Sequence, residues 1–159
     1  MAAFKKNYKD INDTMRHIRL QVEESVPFAQ KFLRKCKDPN DLYFCLKPYL
    51  KYKKDPRGVE LLQSLPTLIK NNFFGSSGSG DCDCFTIAVV SLCMVQKWPG
   101  AKIWIKLAGR NKAYPVHIWS GVTYKGKEYP LDMTNKIPGI ERPYPYIQKL
   151  EVKKLLTGK

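Results

Sequence analysis

Gly80-Asp81-Cys82-Asp83-Cys84-Phe85 ends a glycine- and serine-rich run and passes directly into an apolar helical pattern. From Cys82 to about residue 97, Phe85, Val89, Leu92, Cys93 and Gln96 recur at helical spacing, with almost no charge after Asp83. A helix that is apolar all round has no side for water, so this one is expected to be central and buried. Its first residue is a cysteine. The free N–H groups and dipole of a helix N-terminus favour a thiolate, so Cys82 suits a nucleophile and is expected to be the most reactive thiol. Asp81 and Asp83 read as caps of this helix rather than as acids.

A nucleophilic cysteine needs a base, and the base needs an acceptor to orient it. The chain has two histidines. His17 lies far upstream in a charged helical stretch, whereas His117 sits in the extended pattern Pro115-Val116-His117-Ile118-Trp119. Residues 101–108 read as a strand, with Ile103, Ile105 and Leu107 on one face and Lys102, Trp104 and Lys106 on the other. A second strand is predicted over 116–124, a tight turn at Lys125-Gly126-Lys127, and a third strand over 128–133. His117 and Asp132 then fall almost opposite each other on one hairpin, within reach of a hydrogen bond. Each residue also has a plainer reading. A cysteine at a helix start can be packing, a strand histidine can be a satisfied core residue, and Asp132 before Thr134 can organise a turn. Trp119, on the same strand face as His117, reads equally as a cleft wall or as core.

Cys82, His117 and Asp132, in this order and at these spacings, resemble the transglutaminase-like branch of the papain-like cysteine enzymes, especially small members from phages and mobile elements. The segment YKKDPRGVELLQS, residues 52–64, is similar to the one that precedes the Gly-Asp-Cys-Asp motif in that family. Together the matches cover roughly residues 48–134. Cys84 departs from the pattern, standing where an acidic residue is expected. The resemblance implies a single transglutaminase-like domain over residues 1–159, with a helical N-terminal extension at 1–40 and a catalytic core at 48–134. It implies a Cys82–His117–Asp132 triad that acts on amide bonds through a thioester, without cofactor or metal. Hydrolysis as a peptidase or amidase is the first reading. Protein-glutamine acyl transfer is the alternative, and a virion or assembly component that uses the fold for binding is a third. The substrate is expected to be a protein or peptide, with cell-wall peptide and viral structural protein as candidates. The Cys82 backbone N–H would face the oxyanion, with Gln63 or Ser64 as candidates for a second donor.

The fold class expected is α+β: N-terminal helices, a buried central helix starting at the nucleophile, and an antiparallel sheet carrying base and acid. A chain of 159 residues fits one domain with its own core. Five cysteines without paired spacing argue against a disulfide framework, and no secretory signal or long apolar run is present, so synthesis in a reducing cytoplasm is expected, with virion association as a further expectation. Cys45 and Cys93 read as core and Cys36 as partly exposed. Upstream, the first ten residues read as unordered unless a partner fixes them. Asn12-Asp13 offers a cap for a helix that Pro27 should kink or divide, and a second helix runs over 41–52 with Pro48 as a flaw. Residues 61–69 form a short apolar stretch interrupted by Pro66, and the Pro-, Tyr- and Lys-rich segment after residue 134 is expected to wrap the surface. The net charge of +14 is spread over both halves and attracts polyanions, which makes non-specific nucleic acid a candidate partner.

Overall fold

The computed structural model describes residues 3–6, 11–32, 35–52, 60–73, 79–112 and 115–153. Residues 53–59, part of the segment similar to that family, and residues 75–78 of the glycine-serine run lie outside these. In chain order the elements are β1 (Ala3–Lys6), α1 (Ile11–Phe32), α2 (Pro39–Leu46) with a 3-10 turn at Lys47–Tyr49, β2 (Lys51–Tyr52), β3 (Glu60–Gln63), α3 (Leu65–Phe73), β4 (Ser79–Gly80), α4 (Cys82–Gln96), β5 (Lys102–Gly109), β6 (Pro115–Tyr124), β7 (Lys127–Pro130) and β8 (Tyr146–Glu151). Helices lie with an antiparallel sheet of order β7-β6-β5-β8, an α+β architecture; β1–β3 and β2–β4 form two small separate pairs.

The apolar helix is where the sequence placed it. Asp81 caps α4, its side chain accepting from the Asp83 N–H, and Lys97 ends it in a left-handed conformation. One flank, with Phe85, Val89 and Leu92, packs with Leu42 and Leu46 of α2 and Leu65 and Leu68 of α3. The other, with Ile87 and Val90, packs with Ile105, Leu107 and Ile118 of the sheet and with Met15, Ile18 and Val22 of α1. Against expectation, α1 is not divided at Pro27 and starts before Asn12-Asp13, which lie in its first turn. A mid-helix proline costs about 3 kcal/mol. Burying Ile18 and Val22 completely returns about 1.5–3 kcal/mol each, so the packed stripe outweighs the missing bond.

Two cysteine expectations are reversed. Cys36 is buried and Cys45 is exposed. The Cys36 backbone N–H donates to Gln96 Oε1 (2.7 Å), and Trp98 Nε1 donates to the Cys36 carbonyl (2.9 Å), so the C-terminus of α4 draws residue 36 inward. Cys45 falls on the outer side of α2, whose inner side is set by Leu42, Tyr43 and Leu46, and α2 ends at Leu46, where the turn containing Pro48 begins, instead of running to residue 52. Pro66 does not interrupt a helix but sits in the first turn of α3, where its missing N–H would have had no partner.

Three further expectations change in the sheet and its neighbours. Ala3–Lys6, read as unordered, pairs antiparallel with β3. The third strand stops at Pro130, so Asp132 lies in the loop that follows and not on a strand. The final segment does not simply wrap the surface: β8 joins the sheet beside β5, Trp104 opposite Glu151. The hairpin itself is as read, with Lys125 and Gly126 both at positive φ in a two-residue turn between paired Tyr124 and Lys127. Among the described residues no helix is long and apolar enough to cross a membrane.

On the sheet face away from α4, the Trp104 ring lies flat against Gly121. A Cβ at position 121 would stand 2.5 Å from Trp104 ring carbons and 2.5 Å from the Tyr129 carbonyl oxygen. Gly121→Ala should therefore destabilise the fold by about 1–3 kcal/mol through overpacking. Urea unfolding checks this, and an unchanged midpoint would show that the Trp104 face yields freely.

Candidate active site

Cys82 opens α4 beside β6. It lines a cavity of about 200 Å³ together with Thr14, Tyr52, Asp81, Asp83, Val116 and His117, among others. The backbone N–H of Ile118 donates toward its sulfur. Burial pushes the thiol far above its ordinary value, and the carboxylates of Asp83 and Asp81 push it further, with only the Ile118 N–H opposing. This direction is opposite to the lowering expected of a helix N-terminus, and its causes are desolvation first and then the adjacent carboxylates. Cys36, Cys84 and Cys93 are also raised by burial, Cys36 to about 12. Cys45 is the exposed thiol of the chain.

His117 and Asp132 meet. His117 Nε2 donates to Asp132 Oδ2 at 2.6 Å, with both side chains largely buried. The pairing of β6 with β7 ends at Gly121 opposite Pro130, and one more bond, Leu131 N to Ser120 O (2.9 Å), carries the chain back toward His117 before it turns. The other carboxylate oxygen, Oδ1, accepts from the Thr134 backbone N–H (3.1 Å) and hydroxyl (2.7 Å). Turn-building and histidine-binding, alternatives in the sequence, are therefore served by different oxygens of one carboxylate. From the far side α2 and the turn after it hold the same loop: Tyr43 Oη donates to the Asn135 carbonyl at 2.5 Å, and Lys47 Nζ donates to the Met133 carbonyl. Burial alone would raise Asp132, but the hydrogen bond and charge of His117 and the two bonds from Thr134 outweigh it and hold the carboxyl below its ordinary value. With Nε2 committed, Nδ1 is the imidazole position available for proton exchange in the cavity.

Trp119 does not line this cavity. It is buried and stacks on the His117 ring, with centroids 5.3 Å apart and planes at 24°. Tyr144 stacks on His117 at 6.1 Å and on Trp119 at 6.1 Å, closing a three-ring cluster. Trp119 Nε1 donates to Glu141 Oε2 (2.8 Å), which also takes Lys106 Nζ (2.8 Å). Gln63 and Ser64 are buried elsewhere: Gln63 Nε2 donates to Cys84 Sγ (3.8 Å), and Ser64 Oγ bonds Thr67 Oγ1 (3.1 Å). Neither lines the cavity with Cys82. Tyr144 is the residue that sequence reasoning passed over, although its signal was present, a tyrosine held between Pro143 and Pro145.

The geometry fixes a pH signature. A carboxyl held below its ordinary value of 3.8 in the folded state adds stability above that value, and loses it as pH falls through the folded pKa. Asp132→Asn should cost about 1.5–3 kcal/mol at pH 7, the range for a hydrogen bond to a charged group. The gap to the parent chain should narrow steadily below about pH 4. Denaturant curves at several pH values check this, and a gap independent of pH would mean that the carboxylate charge contributes nothing. Comparison of this chain with protein-family models, with curated proteins and with solved structures finds no match.

Proposed function

We propose that the chain hydrolyses amide bonds through a thioester on Cys82, within a transglutaminase-like core. The observation that carries this reading is that Cys82 and His117 line one cavity while Asp132 holds the far nitrogen of the imidazole. Cys82 is a neutral thiol at rest, so proton transfer accompanies attack. As Sγ bonds to the substrate carbonyl carbon, its proton passes to His117 Nδ1 and the carbonyl oxygen becomes an oxyanion near the Cys82 N–H at the start of α4. Collapse breaks the C–N bond, and the imidazolium gives its proton to the leaving amine. Water, deprotonated by His117, then attacks the thioester and releases a carboxylic acid and the thiol. Asp132 keeps one tautomer throughout.

Asp81 and Asp83 favour water over an amine as the second nucleophile. An amine must arrive uncharged to attack. Two carboxylates at the cavity stabilise its ammonium form and raise the cost of losing that proton.

Because Cys45 is exposed, the thiol test belongs in a Cys45→Ser background. There, iodoacetamide labelling of Cys82 should quicken with every rise in pH across the range of about 5–8, because a thiol held above its ordinary value is still mostly protonated throughout it. A plateau over that range would reveal a resting thiolate–imidazolium pair and overturn the neutral-thiol mechanism. For activity, a glutamine-containing peptide, a cell-wall peptide and a viral structural protein are offered with and without a labelled primary amine, and products are weighed by mass spectrometry. Hydrolysis should exceed amine incorporation, Cys82→Ala should abolish both, and His117→Ala should slow turnover about 10²–10⁴-fold. Dominant amine incorporation would establish acyl transfer. No acyl-enzyme and no turnover, with Cys82→Ala biologically silent, would establish a binding role instead.

A further inference from the structure

The end of the molecule away from Cys82 carries its own concave surface. α4 runs from the cavity to this end, and Met94 lies twelve residues beyond Cys82, about 18 Å along the helix. Met94 lines two neighbouring cavities. One, of about 510 Å³, lies between α1 and the end of α4 and is lined by Lys35 and Lys97. The other, of about 350 Å³, lies against the start of β5 and the end of β8 and is lined by Lys102 and Lys153. The second shares Lys102 and Glu151 with a third, of about 300 Å³, which reaches Lys149 on the outer sheet face. The shared residues place the three side by side, a grooved surface that passes around the end of the sheet. Each is within the size range of ligand clefts, about 300–1,000 Å³.

Its charge is one-sided. Lys35, Lys97, Lys102, Lys149 and Lys153 line it and are exposed, and Glu151 is the acid among the lining residues. Glu128 pairs with Lys149 and offsets that one lysine. Lys97 ends α4, where a cation complements the helix C-terminus, so part of its charge serves the helix. Lys35, Lys102 and Lys153 come from three separate parts of the chain. Among the described residues these three form no ion pair, which makes them the groove's uncommitted cations. Apolar stems of Met94, Val95 and Val152 lie between them.

We infer that this groove binds the sugar-phosphate backbone of flexible single-stranded nucleic acid, at a site separate from the Cys82 cavity. A curved track of spaced ammonium groups over an apolar floor fits a bendable polyanion whose bases can rest on the floor. A rigid duplex or a flat anionic bilayer would reach only the rim. Trp104 is buried beneath Lys106 and Lys149 and is not a stacking platform, so recognition is electrostatic and indifferent to sequence.

The test is fluorescence anisotropy with a labelled mixed-sequence single strand of about 20 nucleotides, longer than the usual site of about 4–16 for one fold. Its duplex and anionic phospholipid vesicles serve as competitors. The variants are a groove triple, Lys35→Glu, Lys102→Glu and Lys153→Glu, and a control triple with the same charge change at exposed sites elsewhere, Lys37→Glu, Lys112→Glu and Lys136→Glu. A milder groove triple to Gln guards against misfolding, and the Cys82 alkylation rate, expected to be unchanged, reports that the remote site is intact. Single-strand slopes are about 0.7 per phosphate contact, so loss of three lysines should lower the salt slope by about 2 and weaken binding at least about tenfold near 50 mM salt. The control triple should weaken it far less. Equal weakening by both triples, no binding by the parent chain at that salt, or tighter binding of duplex or vesicles would overturn the inference.

Discussion

A helix with apolar side chains all round must be covered all round, and α4 is such a helix. That requirement draws α1, α2, α3 and the sheet to it and sets where each sits. It also sets the chemistry of its first residue. The burial that stabilises the fold removes water from the Cys82 thiol, and the aspartates that cap and flank the helix start add negative charge beside it. Stability and thiolate formation are thus opposed at this position, and the proposed reaction needs the imidazole to take the proton during attack.

The second organising group is the Asp132 carboxylate. One oxygen closes the turn through Thr134 and the other orients His117, so the loop that leaves β7 cannot change shape without moving the histidine. Tyr43 of α2 and Lys47 of the turn after it bind that loop's carbonyls, which links the helical layer to the imidazole without touching it. On the strand side, Trp119 and Tyr144 stack on the ring and Glu141 ties Trp119 to Lys106. The histidine is therefore held by a hydrogen bond at one nitrogen and by aromatic faces, an arrangement that limits rotation about χ2.

What could be read from the sequence was what short-range pattern controls. The period of α4, the alternation of β5 and the Lys125-Gly126 turn are local, and they brought His117 and Asp132 together to within two residues, since the observed register, continued past Leu131, puts Asp132 opposite Trp119. What escaped was set by distant partners. Cys36 is buried because Gln96 and Trp98, about sixty residues away, claim its backbone. β8 alternates between exposed Ile147, Lys149 and Glu151 and more buried neighbours, but the prolines just before it masked that rhythm. Trp119 was readable as aromatic and same-faced with His117. Only Tyr144, arriving from the following loop, shows that the indole supports the imidazole from behind and does not wall the cavity.

The sheet order β7-β6-β5-β8 has a consequence for biogenesis. β5 gains its second neighbour only when β8 has been made, since Trp104 pairs with Glu151. At about 5–20 residues per second, the 42 positions from Gly109 to Glu151 take about 2–8 s of synthesis. Throughout that interval a strand rich in Ile, Trp and Leu has one edge without a partner, the kind of template that invites pairing with another nascent chain. Asp132 and Tyr144 are both translated inside the same interval, so Cys82 and His117 exist on the ribosome before the groups that orient the histidine. A chain stalled before residue 132 carries Cys82 and His117 without the carboxylate and the tyrosine ring that hold the imidazole.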